Sequence, residues 1–264
     1  MRRLQWSAAI VGALLVVGGE ALALTGREIA ERVDKQNQAA DEAYKSELRV
    51  IHKTGVRRSY TMLTKFKAGE GNDDKVLIRF LLPQTVTGTG LLIVERGDSD
   101  SQWLYVPYLR KTKLIAGSSK GGSFMESDLS NYDMRTENLD GHEYKLVGEE
   151  TVAERACYKL EATPKTDEIK EETGYARRLV YVDKERWVAF RTEYYDKDNK
   201  RLKLAVKSEY KLVGKLWRSS RLVVSNVQAG SKTMVIHDES SRKINEGVSD
   251  DEFTKRTLQN PLIK

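Results

Sequence analysis

Residues Gly117-Ser118-Ser119-Lys120-Gly121 spell Gly-x-Ser-x-Gly, the pattern of a serine nucleophile held on a tight strand-to-helix turn. That turn belongs to mainly parallel sheets with crossover helices. This sequence has almost no strand–helix–strand material, so the five residues read as a Gly/Ser loop. The histidines His52, His142 and His237 are scattered, with no two at the spacing of metal ligands. In His237-Asp238-Glu239, successive side chains of a strand point to opposite faces, which argues against a zinc site there. Asp73-Asp74 reads as a turn, and Asp250-Asp251 as acids at the start of a helix, where the macrodipole favours negative charge. Cys157 is the only cysteine, so no internal disulfide can form, and it reads as a small buried residue rather than a reactive thiol. The expectation is a protein that is not an enzyme, with no catalytic residue, no metal and no cofactor.

The elements that would carry any site begin with a helix expected over residues 25–43. Thr25 and Glu28 have capping-box spacing, and Leu24 and Ile29 stand at the staple positions. From Tyr44 the hydrophobic period changes to two. Strands are expected over 44–53, 57–68, 75–82, 89–95, 101–107, 112–116, 143–149, 154–163, 176–183, 187–195, 200–212, 216–228 and 231–238. The connections are short and rich in turn formers, as in Asp183-Lys184-Glu185-Arg186 and Asp196-Lys197-Asp198-Asn199. Short turns join antiparallel neighbours, whereas parallel strands need long crossovers. An up-and-down sheet of this size curls around its apolar face. The predicted fold class is therefore mainly β, a curved antiparallel up-and-down sheet forming a barrel or half-barrel, with about three short helices over its apolar mouth or concave face. The second helix is signalled by Ser123 with Glu126, the third by Ser249 with Glu252, stopped by Asn260-Pro261.

The N-terminus carries Arg2 and Arg3, an apolar run from Ala8 to Val17, and Ala21-Leu22-Ala23, a small-x-small cleavage pattern. The run is well short of the roughly 20 residues that span a bilayer. Residues 1–23 are thus expected to be a signal peptide, and residues 24–264 one soluble periplasmic domain without a lipid anchor. Loss of Arg2, Arg3 and Glu20 lowers the net charge from +6 to +5. Charged residues of both signs make up 32% of the chain, which suits a solvated surface, and the basic excess would assist transient contact with anionic membranes. Nucleic acid is not an expected partner after export, and the domain is expected to be a monomer.

On strand 200–212, Leu202, Leu204, Val206 and Tyr210 alternate with Lys203, Lys207, Glu209 and Lys211, so the first set is assigned to the dry face and the second to the wet one. The sheet as a whole offers more apolar face than three short helices cover, which points to a ligand cavity. Its expected lining is Met62, Phe66, Ile78, Phe80, Leu91, Trp103, Phe190 and Leu204.

Several stretches resemble the outer-membrane lipoprotein-sorting protein family, relatives of the periplasmic lipoprotein carrier and its outer-membrane receptor (LolA- and LolB-like). These are Leu24 to Val33 (LTGREIAERV), Gly88 to Val94 (GTGLLIV), Trp103 to Ile115 (WLYVPYLRKTKLI), Gly122 to Met134 (GSFMESDLSNYDM) and Val248 to Leu258 (VSDDEFTKRTL). The resemblance covers the expected mature chain and marks a divergent branch. It implies a half-barrel with a helical lid over an acyl-chain cavity, and Arg49 as the nearest counterpart of the strand arginine that helps hold the lid. It further implies acyl chains of lipids or lipoproteins as cargo and an inner-membrane transporter of the resistance-nodulation-division type as partner. The expected function is a carrier that moves hydrophobic cargo between inner-membrane machinery and the outer membrane. The competing expectation is a non-transporting accessory subunit of such a transporter, its interior filled by its own side chains.

Overall fold

A computed structural model describes residues 24–97 and 99–260; the expected signal segment, residues 1–23, and Pro261 lie outside the described residues. Helix α1 runs Gly26–Gln36 behind a complete capping box, in which the Glu28 amide donates to Thr25 Oγ1 and the Thr25 amide donates to the Glu28 carboxylate. It stops seven residues before the expected end. Asn37 is used as a fastener instead: its side-chain amide donates to the Trp187 carbonyl at 3.0 Å and accepts from the Trp217 amide at 2.9 Å. Beyond it, residues from Asp41 onward are hydrogen-bonded on both sides as a strand, so sheet pairing overrides the alanine-rich helical pattern.

Thirteen strands form one antiparallel sheet: β1 Asp41–Ile51, β2 Arg57–Lys67, β3 Lys75–Leu82, β4 Gly90–Arg96, β5 Ser99–Val106, β6 Lys111–Ile115, β7 His142–Val152, β8 Arg155–Pro164, β9 Tyr175–Asp183, β10 Val188–Asp196, β11 Arg201–Val213, β12 Leu216–Asn226 and β13 Ser231–Ile244. Their order is β6-β5-β4-β3-β2-β1-β13-β12-β11-β10-β9-β8-β7. Two meanders are thus joined where β1 pairs with β13, and β6 and β7 are left as edges, so the barrel is not closed. Every expected strand is present within about three residues of its expected bounds, except that β13 runs six residues past its expected end at 238.

The inner face holds the main core, with Leu48, Phe80, Leu91 and Ile93 fully buried. Helix α1 covers the inner face of the β7–β9 arm through Ile29 and Ala30, packed on Leu160, Ala162 and Val182. Gly26 lies so close to β7 that a Cβ there would stand 2.6 Å from the Tyr144 carbonyl oxygen. A helix not anticipated, α2 Asp167–Thr173, is capped by Thr166 between β8 and β9.

Two expected helices differ. Residues 123–129 are not helical: Met125 and Glu126 adopt positive φ (50° and 58°), and Ser123 Oγ donates to the Ser127 carbonyl at 2.6 Å. Such local side-chain bonds give the backbone an alternative to the helix. At the C-terminus, Ser249 caps a 3-10 turn over Asp250–Phe253, and Thr254 then caps α3, Lys255–Gln259. This segment covers the outer rather than the concave face: Phe253 and Leu258 pack on Leu77, Leu92 and Tyr105. Arg79 completes the attachment by donating to the Thr257 carbonyl at 2.6 Å, and Gly90 leaves room for Leu258, whose Cδ1 would lie 2.7 Å from an added Cβ.

Candidate functional site

Between the concave face and the chain segment that joins β6 to β7 lies a cavity of about 550 Å³. One wall is apolar, built by Leu48, Met62, Phe66, Val76 and Ile78 from β1–β3. Register explains the choice of residues. Leu48 pairs with Tyr60 on one side and Val235 on the other, Val235 with Leu222, and Leu222 with Lys207, so all five side chains share the inner face. A neighbouring space of about 300 Å³ reaches toward the end of α1 and shares Glu42, Tyr44, Ala189, Lys207, Leu222 and His237 with the first.

Residues 116–141 form the lid, with Phe124 and Leu129 turned to the cavity. It is held by polar pairs, buried at Lys203–Asp133 and Arg135–Asp100 and more open at Arg178–Glu137, rather than by a helix. Lys203 donates to Asp133 and to the Asp128 carbonyl, both at 2.7 Å. Arg178 makes a two-pronged contact with Glu137 at 2.6 and 2.9 Å, and Tyr144 donates to the same carboxylate at 2.6 Å. Asp128 accepts from Thr233 at 2.8 Å, while Arg135 reaches Asp100 on β5 at 2.8 Å. Burial alone would raise the carboxyls of Asp133 and Glu137, but Lys203 and Arg178 outweigh it and hold both below the ordinary carboxylate range. Beside Glu137, His142 is pushed down to about 4 by burial and by Arg178, and its Nδ1 meets the Asn138 carbonyl at 2.9 Å.

Of the eight residues expected to line a cavity, Met62, Phe66, Ile78 and Phe190 do so. Phe80 and Leu91 face the same way but are sealed in the core beneath it. Trp103 lies on the outer face, in the cluster under the C-terminal segment, with Lys255 4.5 Å from its ring centroid. Leu204 also faces outward, because the register puts Lys203, Ala205 and Lys207 inside. The assignment of dry and wet faces on β11 is thereby reversed over residues 202–207. At Glu209, where φ is 56°, the alternation of faces breaks without a shift in register, and Tyr210 lines the inner space. Alternation separates two faces but does not say which is inside, and here two lysines point inward, Lys203 to meet Asp133 and the Asp128 carbonyl. Arg49 is exposed on the outer face and pairs with Glu47, so it does not hold the lid. The lid residues Asp128, Asp133 and Glu137 carried no periodicity that would have revealed them.

Ser119 sits exposed in a 3-10 turn over Gly117–Gly121 that follows the edge strand β6, not on a strand-to-helix elbow. Its neighbour Lys120 is buried between Asp100 and Glu172. Cys157 is 1% exposed and donates to the Arg155 carbonyl, and burial raises its thiol. Among the described residues no cluster of three or more His, Cys, Asp or Glu could hold a metal, and no helix is long and apolar enough to cross a membrane.

No curated relative matches the sequence. A family model with the description "Uncharacterized protein" matches residues 72–260. Among solved structures, a domain described as an outer membrane lipoprotein-sorting protein from Vibrio parahaemolyticus is 26% identical at TM-score 0.83, covering 89% of this chain and 98% of that one. A DUF1329 family protein from Desulfovibrio piger is 32% identical at TM-score 0.80, covering 88% of this chain and 97% of that one. A LolA superfamily protein from Nitrosomonas europaea shares the fold at TM-score 0.70 and 17% identity, over 89% of this chain and all of its own. The half-barrel and its lid are a fold shared with the lipoprotein-sorting domain and the LolA superfamily protein, and the identity and coverage of the Desulfovibrio match show that the chain belongs to the DUF1329 family.

Proposed function

We propose that this protein is a periplasmic carrier, which takes a lipidated or otherwise hydrophobic cargo from inner-membrane machinery into its half-barrel and delivers it toward the outer membrane. The observation that carries this reading is the lidded cavity with one continuous apolar wall. Its volume of about 550 Å³ lies within the 300–1,000 Å³ usual for ligand sites. Carriage answers a physical need. At about 0.8 kcal/mol per CH₂, a 16-carbon chain costs on the order of 12 kcal/mol to bring from membrane into water, and an apolar wall offsets most of that. The Vibrio parahaemolyticus domain, whose description names lipoprotein sorting, supports the same reading. An accessory role without cargo would suit a filled interior. Phe80, Leu91 and Ile93 do fill one end, but the space beside them is open.

Native mass spectrometry of the exported protein, with extraction of bound lipid, tests the proposal directly. Displacement of a fluorescent fatty acid then locates the site. Ile78 is 5% exposed on the apolar wall, so Ile78→Glu should abolish binding, because an unpaired buried carboxylate costs several kcal/mol. Full binding by folded Ile78→Glu protein would remove the cavity from the account, and no binding of any lipid by the unchanged protein would favour the accessory role.

A further inference from the structure

The two spaces of the cavity differ in chemistry. The wall under the lid is apolar, whereas their junction gathers Glu42, Lys207, Arg218, Arg242 and His237. Arg218 and Arg242 share one carboxylate: the Arg218 guanidinium lies 3.0 Å from Glu42, and Arg242 donates to the other oxygen of the same group. Lys207 lines both spaces with no hydrogen-bond or ion-pair partner among the described residues; its side chain remains exposed to solvent at the junction, and the protein around it lowers its pKa. Three fixed cations thus face one fixed carboxylate. Glu137, the acid that acts on Lys207, is already engaged by Arg178 and Tyr144.

Buried polar atoms without partners concentrate at the same place. They include Ser46 Oγ, His237 Nδ1, Arg242 Nε and the Tyr210 hydroxyl. Ser46 and His237 stand opposite each other in the β1–β13 pairing and both line the cavity. Burial, with Arg242 and Lys207 nearby, pushes His237 down to about 4, so it is neutral at pH 7 and one ring N–H is available to donate. Buried polar atoms left unpaired are costly unless something pairs with them, and the unpartnered Lys207 ammonium beside them selects an anion for that role.

We infer that the cargo is an anionic amphiphile, whose compact carboxylate or phosphate head is held by Lys207, His237 and Ser46 while its tail lies along Met62, Phe66 and Ile78 toward Phe124. This rests on the carrier reading and names the class of its cargo. A charge-assisted contact with Lys207 should distinguish an acid from its neutral counterpart by roughly tenfold to a hundredfold in affinity.

The test compares palmitate, hexadecyl phosphate, hexadecanol and inorganic phosphate by calorimetry on the whole mature protein at pH 7, with Lys207→Met and Lys207→Arg variants alongside. Palmitate or hexadecyl phosphate should bind at least about tenfold more tightly than hexadecanol. Lys207→Met should erase that preference while keeping hexadecanol binding, and Lys207→Arg should retain it. Hexadecanol binding as tightly as both acids would overturn the anionic head while leaving the carrier intact. An unchanged preference in folded Lys207→Met would remove Lys207 from the site. Inorganic phosphate binding as tightly as the acids would reassign the site to a free anion, and failure of all three amphiphiles would remove the carrier reading itself.

Discussion

Lys203 shows how much one residue's facing decides. On the alternation of its strand it reads as a solvated lysine, so a charge swap there would be harmless. In the structure its side chain is 4% exposed and its ammonium is shared between Asp133 and the Asp128 carbonyl. Removing one partner of a buried pair leaves the other charge uncompensated, at a cost of about 3–5 kcal/mol. Lys203→Met should therefore destabilise by about that amount in denaturant unfolding, whereas Lys200→Met, at a residue exposed in a turn, should fall within about 0.5 kcal/mol. The buried histidine His142 adds a pH dependence whose sign follows from linkage. Its folded pKa of about 4 lies below the unfolded value of about 6.5, so between these values the unfolded chain binds a proton that the folded one does not. Its contribution is complete above about pH 6.5 and is lost as pH falls toward 4. The slope of unfolding free energy against pH in that window should be shallower in His142→Gln by up to one proton; an unchanged slope would mean that His142 titrates normally in the folded protein.

At the scale of elements, α1 offers two adjacent substitutions with different causes. Thr25→Ala loses the hydroxyl that caps the helix and should cost about 0.5–2 kcal/mol. Gly26→Ala keeps the cap and has good helix propensity, yet its methyl group would meet the backbone of β7 at 2.6–2.7 Å, so it should destabilise despite that propensity. Equal or greater stability of Gly26→Ala would show that α1 does not pack so closely on β7. The same helix marks what the sequence disclosed. Its start was legible because a capping box is local chemistry, while its end was not, because pairing of β1 with β2 and β13 is a long-range event. The strands were legible through their period of two and their turn residues. Their faces on β11 were not, since the interior at that arm is polar. The C-terminal caps at Ser249 and Thr254 were local too, but which face of the sheet they cover depends on the apolar outer residues Leu77, Leu92 and Tyr105.

For the whole molecule, the open edges β6 and β7 and the pairing of β1 with β13 leave a gap that only the lid bridges. The lid is fastened to both arms by Arg135 with Asp100 on one side and by Asp133 with Lys203 on the other, so under the proposed carrier role opening of one set of contacts is the expected route to the apolar wall. Ordered segments held by a few polar pairs open at lower free energy than core strands do, which suits a gate. A covalent lock tests this. Asp128 and Thr233 are joined side chain to side chain at 2.8 Å and amide to hydroxyl at 2.8 Å, which makes Asp128→Cys with Thr233→Cys the pair to oxidise as a lock between lid and β13. Cys157 is buried and should not compete. In the oxidised double variant, loading of a fluorescent fatty acid should slow by at least about tenfold, and reduction should restore it, with unchanged secondary structure in both states. Loading at the normal rate in the oxidised protein would mean that cargo enters by the α1 side, through the smaller space lined by Val33 and Trp217. A lock closed after loading should likewise retain the fatty acid against excess competitor, since exit must retrace the same opening.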